Sequence, residues 1–388
     1  MKNVATKNRI FGLRCNPPPL HCEKGIARRG NPEDSCADFV ILDYTLCDRV
    51  NAGGHIASLL IMTGNQAEDF CEKRIFMDIN RYSPSYSVNQ KHMTRLADYS
   101  TEEIFELLYA TRQMKAKFTA HEKTAILRGV TIALLFGDAS LRTRSALEIG
   151  IRQLGGESVN LPYSERDMRA GENINDVVNV ICRYGVGALI TRGIAHKELE
   201  NFAQVSSIPI INSTNTDFVP MQAISDLFTV WERKKKLEGV KLAYIGKGTN
   251  VTASLIMGAV KCGMEVAVAT PEAFNVKTEH LERAEQYGSI EITDDPMLAA
   301  KNADVIYTDS YHYHSQLSKE EAEALAPYKV NNRIMAAASG TATFMHPLPA
   351  QRGVEVAPEV IDGKQSIVYT QAENKLHAIK AILALLIK

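Results

Sequence analysis

Two hydroxyl side chains and two arginines stand together in the stretch Ser140-Leu141-Arg142-Thr143-Arg144. Guanidinium and hydroxyl groups bind phosphate oxygens through strong, often charge-assisted hydrogen bonds. The apolar run before them, Val130 to Phe136, predicts a buried strand, and Leu147, Ile151 and Leu154 after them recur at helical spacing. The helix N-terminus that results favours an anion. The stretch therefore predicts a phosphate site, although an ordinary helix start with solvated arginines gives the same pattern.

The elements that position this stretch alternate between strand and helix from Tyr99 onward. Ser100 predicts a helix start, because Glu103 three residues later completes a capping box. After Gly156 the chain is expected to enter a loop. Further strands are predicted at 188–192, 208–211, 241–246, 264–270, 304–309 and 342–345, and further helices at 173–184, 220–237 and 370–386. Short connections between such elements favour parallel sheets covered on both faces. We predict an α/β fold.

Composition narrows the class of protein. The chain has 388 residues, enough for about two domains that each bury a core. A hydrophobic content of 45% and a net charge of −1 favour a globular protein without general attraction for nucleic acid or anionic membrane. The sequence contains no apolar run of membrane-spanning length and begins without the apolar core of a secretory signal. Together with seven cysteines at scattered spacing, this predicts a cytoplasmic protein with reduced thiols.

Residues 1–90 differ in composition from the rest. They carry five of the seven cysteines and two histidines, but no Cys-x-x-Cys pair and no spacing typical of a structural zinc site. We therefore predict no metal. The run Phe39 to Leu46 indicates a strand. The sequence does not indicate what this extension does.

The order of segments from His92 to the C-terminus resembles the ornithine and aspartate carbamoyltransferases, and the ornithine branch most. Ser140 to Arg144 resembles their Ser-Thr-Arg-Thr-Arg motif, and the last forty residues are the most similar. The similar C-terminal segments are 346–356, 359–366 and 372–378. The resemblance implies two doubly wound domains with parallel sheets after the N-terminal extension 1–90. A carbamoyl-phosphate domain would span 91–224, completed by the helix 371–388, and an acceptor domain would span 225–370.

The same resemblance implies a carbamoyltransferase that moves the carbamoyl group of carbamoyl phosphate to a small amine. It implies a homotrimer, or a multiple of trimers, with sites between subunits, and no cofactor. By residue it implies catalytic roles for four side chains, Arg142, Arg192, Gln222 and Arg352. It implies that carbamoyl phosphate is held by Ser140, Leu141, Arg142, Thr143, Arg192, Gln222, Pro347, Leu348 and Arg352.

Three positions depart from the family pattern on the side of the carbamoyl group. The histidine that polarises the carbamoyl carbonyl in the family corresponds to Val219. A donor aimed at a developing oxyanion contributes about 2.7–4 kcal/mol, so another group would have to compensate. The loop residues that reach a neighbouring subunit's site correspond to Asp167 and Ala170, with Arg169 beside them.

The acceptor side also departs from both branches. Asn250 and Asp309 match residues that hold the amino and carboxylate groups of ornithine, but the family's Ser-Met-Gly loop is replaced by Ser310 to His314. The substrate arginines of the aspartate branch are absent as well. We expect Tyr313 and His314 to line a more aromatic acceptor pocket, unless these side chains only pack the loop. The sequence therefore predicts an acceptor other than ornithine or aspartate in its usual pose.

Two other functional classes fit parts of the sequence. A catalytically silent relative that binds a phosphorylated ligand, or serves as a scaffold, would also lack the histidine at position 219. A nicotinamide enzyme would explain Gly246-x-Gly248 after a strand, with Glu272 downstream, but the third glycine position is Val251. Phosphate release with a panel of amines separates the first class from an enzyme, and a change in NADH fluorescence on mixing would identify the second.

Overall fold

The computed structural model describes residues 39–42, 60–63, 79, 82–138, 140–162, 173–311 and 317–387. The chain divides into two compact units, residues 1–77 and residues 78–388. In the first unit, strands β1 (Phe39–Leu42) and β2 (Leu60–Thr63) pair antiparallel, with Phe39 opposite Thr63. The predicted strand at Phe39 is therefore confirmed over its first half. The five cysteines of residues 1–90 lie outside the described residues.

The second unit contains two sheets, and all strand pairs within each of them are parallel. The first has the strand order β4-β3-β5-β6 and the second has the order β11-β10-β7-β8-β9. The predicted pair of doubly wound parallel sheets is confirmed. First-sheet strands are β3 (Thr131–Phe136), β4 (Glu157–Pro162), β5 (Ala188–Arg192) and β6 (Ile210–Thr214). Second-sheet strands are β7 (Lys241–Ile245), β8 (Glu265–Ala269), β9 (Ile290–Thr293), β10 (Val305–Tyr307) and β11 (Thr343–Met345).

Helices connect these strands along the described chain. Those that follow or cover the first sheet are α1 (Thr101–Thr119), α2 (Leu141–Gln153), α3 (Ile174–Arg183), α4 (His196–Val205) and α5 (Pro220–Lys234). Those of the second half are α6 (Asn250–Lys261), α7 (Thr278–Glu285), α8 (Pro296–Ala300), α9 (Lys319–Leu325), α10 (Asn332–Ala337), α11 (Pro358–Ile361) and α12 (Val368–Leu386).

Local sequence explains where several helices begin. The capping box predicted at Ser100 is present, since its hydroxyl accepts from the Glu103 N–H and the Glu103 carboxylate accepts from the Ser100 N–H. Pro220 opens α5, where its missing N–H leaves no bond unmade. Helix α5 ends at Lys234, three residues before the predicted end near 237, and Lys235 caps it in a left-handed conformation with φ of 65°.

The last helix returns to the first sheet's helices after the second sheet is complete. Helix α12 packs against α1, α2 and α5, all of which belong to the first half. Ala378, Ile379 and Ile382 on this helix are fully buried. Such packing supports, as a proposal, the assignment of the C-terminal helix to a carbamoyl-phosphate domain.

Two strands differ from the sequence-based expectation. Residues 157–162 form the edge strand β4 rather than a loop, and its exposed positions include Glu157, Val159 and Asn160. The strand predicted at 208–211 begins two residues later, because Pro209 has no N–H to donate and pairs only through its carbonyl, which accepts from the Leu189 N–H.

A close approach at the entrance to β5 generates a test of the first sheet. A Cβ at Gly187 would lie 2.4 Å from Cγ1 of Val130, a stiff β-branched side chain. We expect Gly187→Ala to lower the free energy of unfolding by about 1–3 kcal/mol through overpacking. The double variant with Val130→Ala should recover much of that loss, as measured by urea unfolding in a double-mutant cycle. Additive effects of the two changes would contradict this packing.

Candidate active site

The predicted phosphate-binding residues lie at the point where the strand order of the first sheet reverses. Strands β3 and β5 are neighbours, and their last residues, Phe136 and Arg192, stand opposite each other. From β3 the chain moves outward to β4, whereas from β5 it moves in the other direction to β6. Ligands of doubly wound sheets bind in the crevice that opens at such a switch point. Both Arg192 and the start of α2 therefore face the expected crevice.

The start of α2 presents backbone donors to this crevice. Ser140 occupies the N-cap position in an extended conformation, but its side chain makes no capping hydrogen bond. No acidic residue lies in the first turn, so nothing there neutralises the positive end of the helix dipole. Thr143 is buried, whereas the Leu141 side chain is 82% exposed. Leu141 can therefore contribute to an anion site through its backbone N–H only.

Lys375 belongs to this group, although it is not among the site residues predicted from the sequence. Its Nζ donates to Oγ1 of Thr143 at 3.2 Å, although the two residues lie on different helices, α12 and α2. Burial and the positive charges of Arg192 and Arg142 lower the pKa of Lys375 to about 8, against the attraction of Asp226. Lys375 follows Gln371 by four residues and so shares its helix face, but the burial of that face appears only in the structure.

Arg192 holds a carboxylate of the same crevice. Its Nε lies 2.5 Å from Oδ1 of Asp138, and the two side chains are 16% and 27% exposed. The backbones beside these two side chains are also joined, because the Gly137 N–H donates to the Arg192 carbonyl at 2.9 Å. Two arginines, Arg192 and Arg142, thus lie close enough to Lys375 to lower its pKa. We call these three side chains, with Thr143 and the start of α2, the cationic cradle.

Gln222 lies beside the cradle in a buried polar network. Its Nε2 donates to Oδ1 of Asp226 at 2.7 Å, one turn further along α5. The same oxygen accepts from Nε2 of Gln371 at 2.8 Å, and Oδ2 accepts from the Tyr307 hydroxyl at 2.7 Å. Burial raises the pKa of Asp226 to about 7, although these three hydrogen bonds oppose the shift. The network joins α5, α12 and the strand β10.

The network continues into the loop after β11, where two further site residues were predicted. Oε1 of Gln371 accepts from the His346 N–H at 2.8 Å, and Nδ1 of His346 accepts from the Leu348 N–H at 2.9 Å. Leu348 has a φ of 54°, which a bulky residue rarely adopts. The loop 346–348 is therefore tied through Gln371 to the group that holds Gln222.

Arg352 is the predicted catalytic residue that the structure does not bring to the cradle. Its Nε and Nη2 lie 2.8 and 2.6 Å from the two carboxylate oxygens of Asp362. Both side chains are exposed. A role for Arg352 in carbamoyl binding stays a prediction that requires its release from Asp362.

Two of the four predicted acceptor residues, Asn250 and Asp309, lie at the switch point of the second sheet, between β7 and β10. Asn250 opens α6, and its side-chain amide donates to Oγ1 of Thr214 and to the Asn215 carbonyl. Asp309 follows β10 and is fully buried, where it accepts from the Thr249 hydroxyl and the Ser310 N–H, both at 2.8 Å. The other two predicted acceptor residues, Tyr313 and His314, lie outside the described residues.

The two glycines of the dinucleotide-like pattern have packing roles. Gly246 has a φ of 135°, and a Cβ there would lie 2.7 Å from Cε1 of the buried Tyr311. A Cβ at Gly248 would lie 2.7 Å from the carbonyl oxygen of Phe274. Because a side chain and a loop already fill the space beside this turn, the glycines are explained without a dinucleotide.

Position 219 carries no side-chain donor, as the sequence requires. The Val219 side chain is buried at the start of α5, and the Val219 N–H donates to Oγ of Ser254 at 2.8 Å.

Among the described residues, no group of three or more His, Cys, Asp and Glu side chains could hold a metal ion. The searched part of the chain also contains no helix long and apolar enough to cross a membrane.

Comparison with known proteins matches the chain to one family in two parts. The carbamoyl-P binding domain of aspartate/ornithine carbamoyltransferases matches residues 91–232, and the Asp/Orn binding domain matches residues 238–386. The ornithine carbamoyltransferase of Halalkalibacterium halodurans is 40% identical over 309 residues, which are 78% of this chain and 96% of the relative. That of Pyrococcus horikoshii is 39% identical over 308 residues, covering 78% and 97%. The solved ornithine carbamoyltransferase of Pyrococcus furiosus superposes with a TM-score of 0.73 at 38% identity, covering 76% and 96%.

The buried Asp226 generates a pH-dependent prediction. Its folded pKa of about 7 lies above the unfolded value of 3.8, so the folded state binds the proton more tightly. The stability that this carboxyl contributes is present below pH 4 and lost as the pH rises through 7. Asp226→Asn does not titrate, so its free energy of unfolding relative to the native protein should rise between pH 4 and 7, by a few kcal/mol at most.

Urea unfolding at several pH values measures this difference. Glu265→Gln, which removes an exposed carboxylate at the start of β8, is the matched control. A difference between Asp226→Asn and the native protein that is the same at pH 4 and pH 8 would show that the carboxyl is not titrating in the folded state.

Proposed function

Since this chain belongs to the aspartate/ornithine carbamoyltransferase family and is a carbamoyltransferase, we propose that its cationic cradle holds the phosphate group of carbamoyl phosphate. The observation that carries the proposal is the contact of Lys375 with Thr143 at the start of α2. Arg192 and Arg142 lie close enough to lower the pKa of Lys375, and Arg192 ends β5 at the switch point of the first sheet. Like charges repel, so three cations brought together at a ligand-binding edge favour an anion between them.

Within this proposal, each group of the cradle has a separate contact. The first N–H groups of α2, including that of Leu141, bind phosphate oxygens together with the hydroxyls of Ser140 and Thr143. Arg142 and Lys375 supply charge, and Arg192 can reach both the phosphate and the carbonyl oxygen. No metal or organic cofactor is needed for this binding mode, because the protein supplies the positive charge.

The carbamoyl group is proposed to lie between Gln222 and the loop at Pro347 and Leu348. Because Nε2 of Gln222 already donates to Asp226, its Oε1 is the atom left for a ligand. An amide oxygen accepts hydrogen bonds only, so it suits the NH₂ of a carbamoyl group. The backbone of the 346–348 loop is held by Gln371 and can offer further acceptors to the same NH₂.

The reaction follows from these positions. The acceptor amine attacks the carbamoyl carbon, the bond from that carbon to the phosphate oxygen breaks, and the amine loses one proton. Phosphate departs into the cradle, and its newly freed oxygen is basic enough to take the proton. Negative charge that develops on the carbonyl oxygen is stabilised by Arg192 and Thr143, since Val219 offers no donor. Catalysis then rests on orientation and charge rather than on a covalent intermediate.

For the acceptor we propose ornithine or a closely related diamino acid, which revises the expectation from sequence. The relatives named above are ornithine carbamoyltransferases. Asp309 can hold an ammonium group and Asn250 a carboxylate, once each gives up part of its present hydrogen bonding. The rewritten loop after Asp309 is the feature that would favour a different amine. A cytoplasmic homotrimer with domains 91–224 and 225–370 stays a prediction from the resemblance.

The proposal is tested by phosphate release and formation of the carbamoylated amine. With carbamoyl phosphate we expect ornithine to react fastest, lysine and putrescine more slowly, and aspartate not at all. Asp309→Asn should raise the KM for ornithine while leaving the affinity for carbamoyl phosphate unchanged, because it removes the charge that holds an ammonium. If no amine reacts although carbamoyl phosphate binds, the protein is a silent ligand-binding relative.

Lys375 makes phosphate binding depend on pH in a specific way. With a pKa of about 8, its ammonium loses charge as the pH rises through 8, so affinity for phosphate should fall over that range. Lys375→Arg keeps the charge and should flatten the dependence, and it also corrects for the ionisation of phosphate itself. Lys375→Met should weaken binding at pH 7 by about 1.5–3 kcal/mol.

Calorimetric titration with inorganic phosphate between pH 7 and 10 measures these affinities. The same pH dependence in the native protein and in Lys375→Arg would remove Lys375 from the phosphate site.

A further inference from the structure

One guanidinium group of the cradle is already paired with a carboxylate. Asp138 lies between the end of β3 and the start of α2, and its Oδ1 is 2.5 Å from Nε of Arg192. Both side chains are mostly withdrawn from water, at 27% and 16% exposure. An ion pair in this setting is screened less by water and salt than one on the open surface.

Charge gives this carboxylate a role while the cradle is empty. Burial lowers the pKa of Lys375 most, and the positive charges of Arg192 and Arg142 lower it further, so these cations repel the Lys375 ammonium. A carboxylate on Arg192 offsets part of this repulsion and fixes the guanidinium at the crevice. A phosphate group that enters the cradle must take the same guanidinium. Two anions on one guanidinium repel each other, so the charge of Asp138 opposes the binding of phosphate.

We propose that Asp138 is an internal anion that holds Arg192 in the empty site, yields it to the phosphate of the substrate, and reclaims it as inorganic phosphate leaves. The inference rests on the proposed function, because it requires phosphate in the cradle. Asp138 is a positioning residue in this scheme, since it touches Arg192 rather than the reacting atoms. No bond is made or broken in the exchange.

This exchange weakens the binding of substrate and of product together. Weaker ground-state binding of carbamoyl phosphate raises KM, whereas faster loss of inorganic phosphate raises turnover when product release is slow. The carboxylate therefore lowers the affinity for both ligands and speeds the release of inorganic phosphate. A variant without the charge should hold both ligands more tightly and should be inhibited more strongly by its own product.

Calorimetric titration with inorganic phosphate tests the inference on the full chain. Asp138→Asn keeps an oxygen that can accept from Arg192 but removes the charge. We expect it to bind phosphate about tenfold more tightly than the native protein, which corresponds to the loss of one competing charge-assisted contact. Asp138→Ser, which removes the charge and the reach to Arg192, should tighten binding as well.

Glu291→Gln is the matched control, because it removes one carboxylate from an ion pair with Lys241 on the second sheet. It changes net charge equally and should leave phosphate affinity unchanged. In steady-state assays the inhibition constant of phosphate should fall about tenfold in Asp138→Asn, in step with the calorimetric result. A structural role alone would not strengthen product inhibition.

The outcomes separate this inference from the proposed function. Equal phosphate affinity in the native protein and both Asp138 variants overturns the competition and leaves the cradle in place. Weaker binding in both variants also overturns it, since Asp138 would then be required to orient Arg192 for phosphate. If none of the proteins binds phosphate, the cradle is wrong and the inference falls with it.

Discussion

The buried carboxyl of Asp226 is the constraint on which the rest of the site depends. A carboxylate without water is stable only where donors surround it, and here they come from Gln222, Gln371 and Tyr307. These side chains belong to a first-half helix, the C-terminal helix and a second-sheet strand. Each element is held in register by the need to satisfy one group. The orientation of Gln222 and of the 346–348 loop follows from it.

The same carboxyl links this polar network to the cradle. Asp226 attracts Lys375 while Arg192 and Arg142 repel it, so the ammonium is held between opposing fields. Asp138 supplies a second negative charge beside Arg192. The empty site is therefore a set of cations that two carboxyl groups keep in place. Such an arrangement is preorganised for an anion, because the cations are already in position and only the pairing of Arg192 has to change.

Local sequence patterns were enough to predict much of the fold, and the failures have physical causes. The capping box at Ser100 and the strand–helix pair around Ser140 depend on neighbouring residues, and the structure contains both. Strand β4 was missed because an edge strand with exposed Glu157 and Asn160 has too little apolar alternation to stand out.

The site was less predictable, because its contacts cross long distances in sequence. Lys375 meets Thr143 only because α12 folds back on α2, and no local pattern specifies that meeting. Arg352 matched a motif, yet Asp362 ten residues later holds its guanidinium. Gly248 resembled part of a dinucleotide motif, whereas its requirement comes from the Phe274 carbonyl that packs against it. In each case a partner outside the motif decides what the residue does.

The return of α12 to the first half has a consequence for the order of synthesis. This 19-residue helix is made after the strands of both sheets, and it carries Gln371 and Lys375. Until it leaves the ribosome, α1, α2 and α5 expose the apolar surface that it later covers, and Asp226 lacks one of its donors. The helices of the first half therefore stay partly uncovered until the whole second sheet has been synthesised. A chain that lacked α12 would expose this apolar surface and would have no Lys375 in its cradle. We therefore expect loss of this helix to cause aggregation rather than only weaker activity.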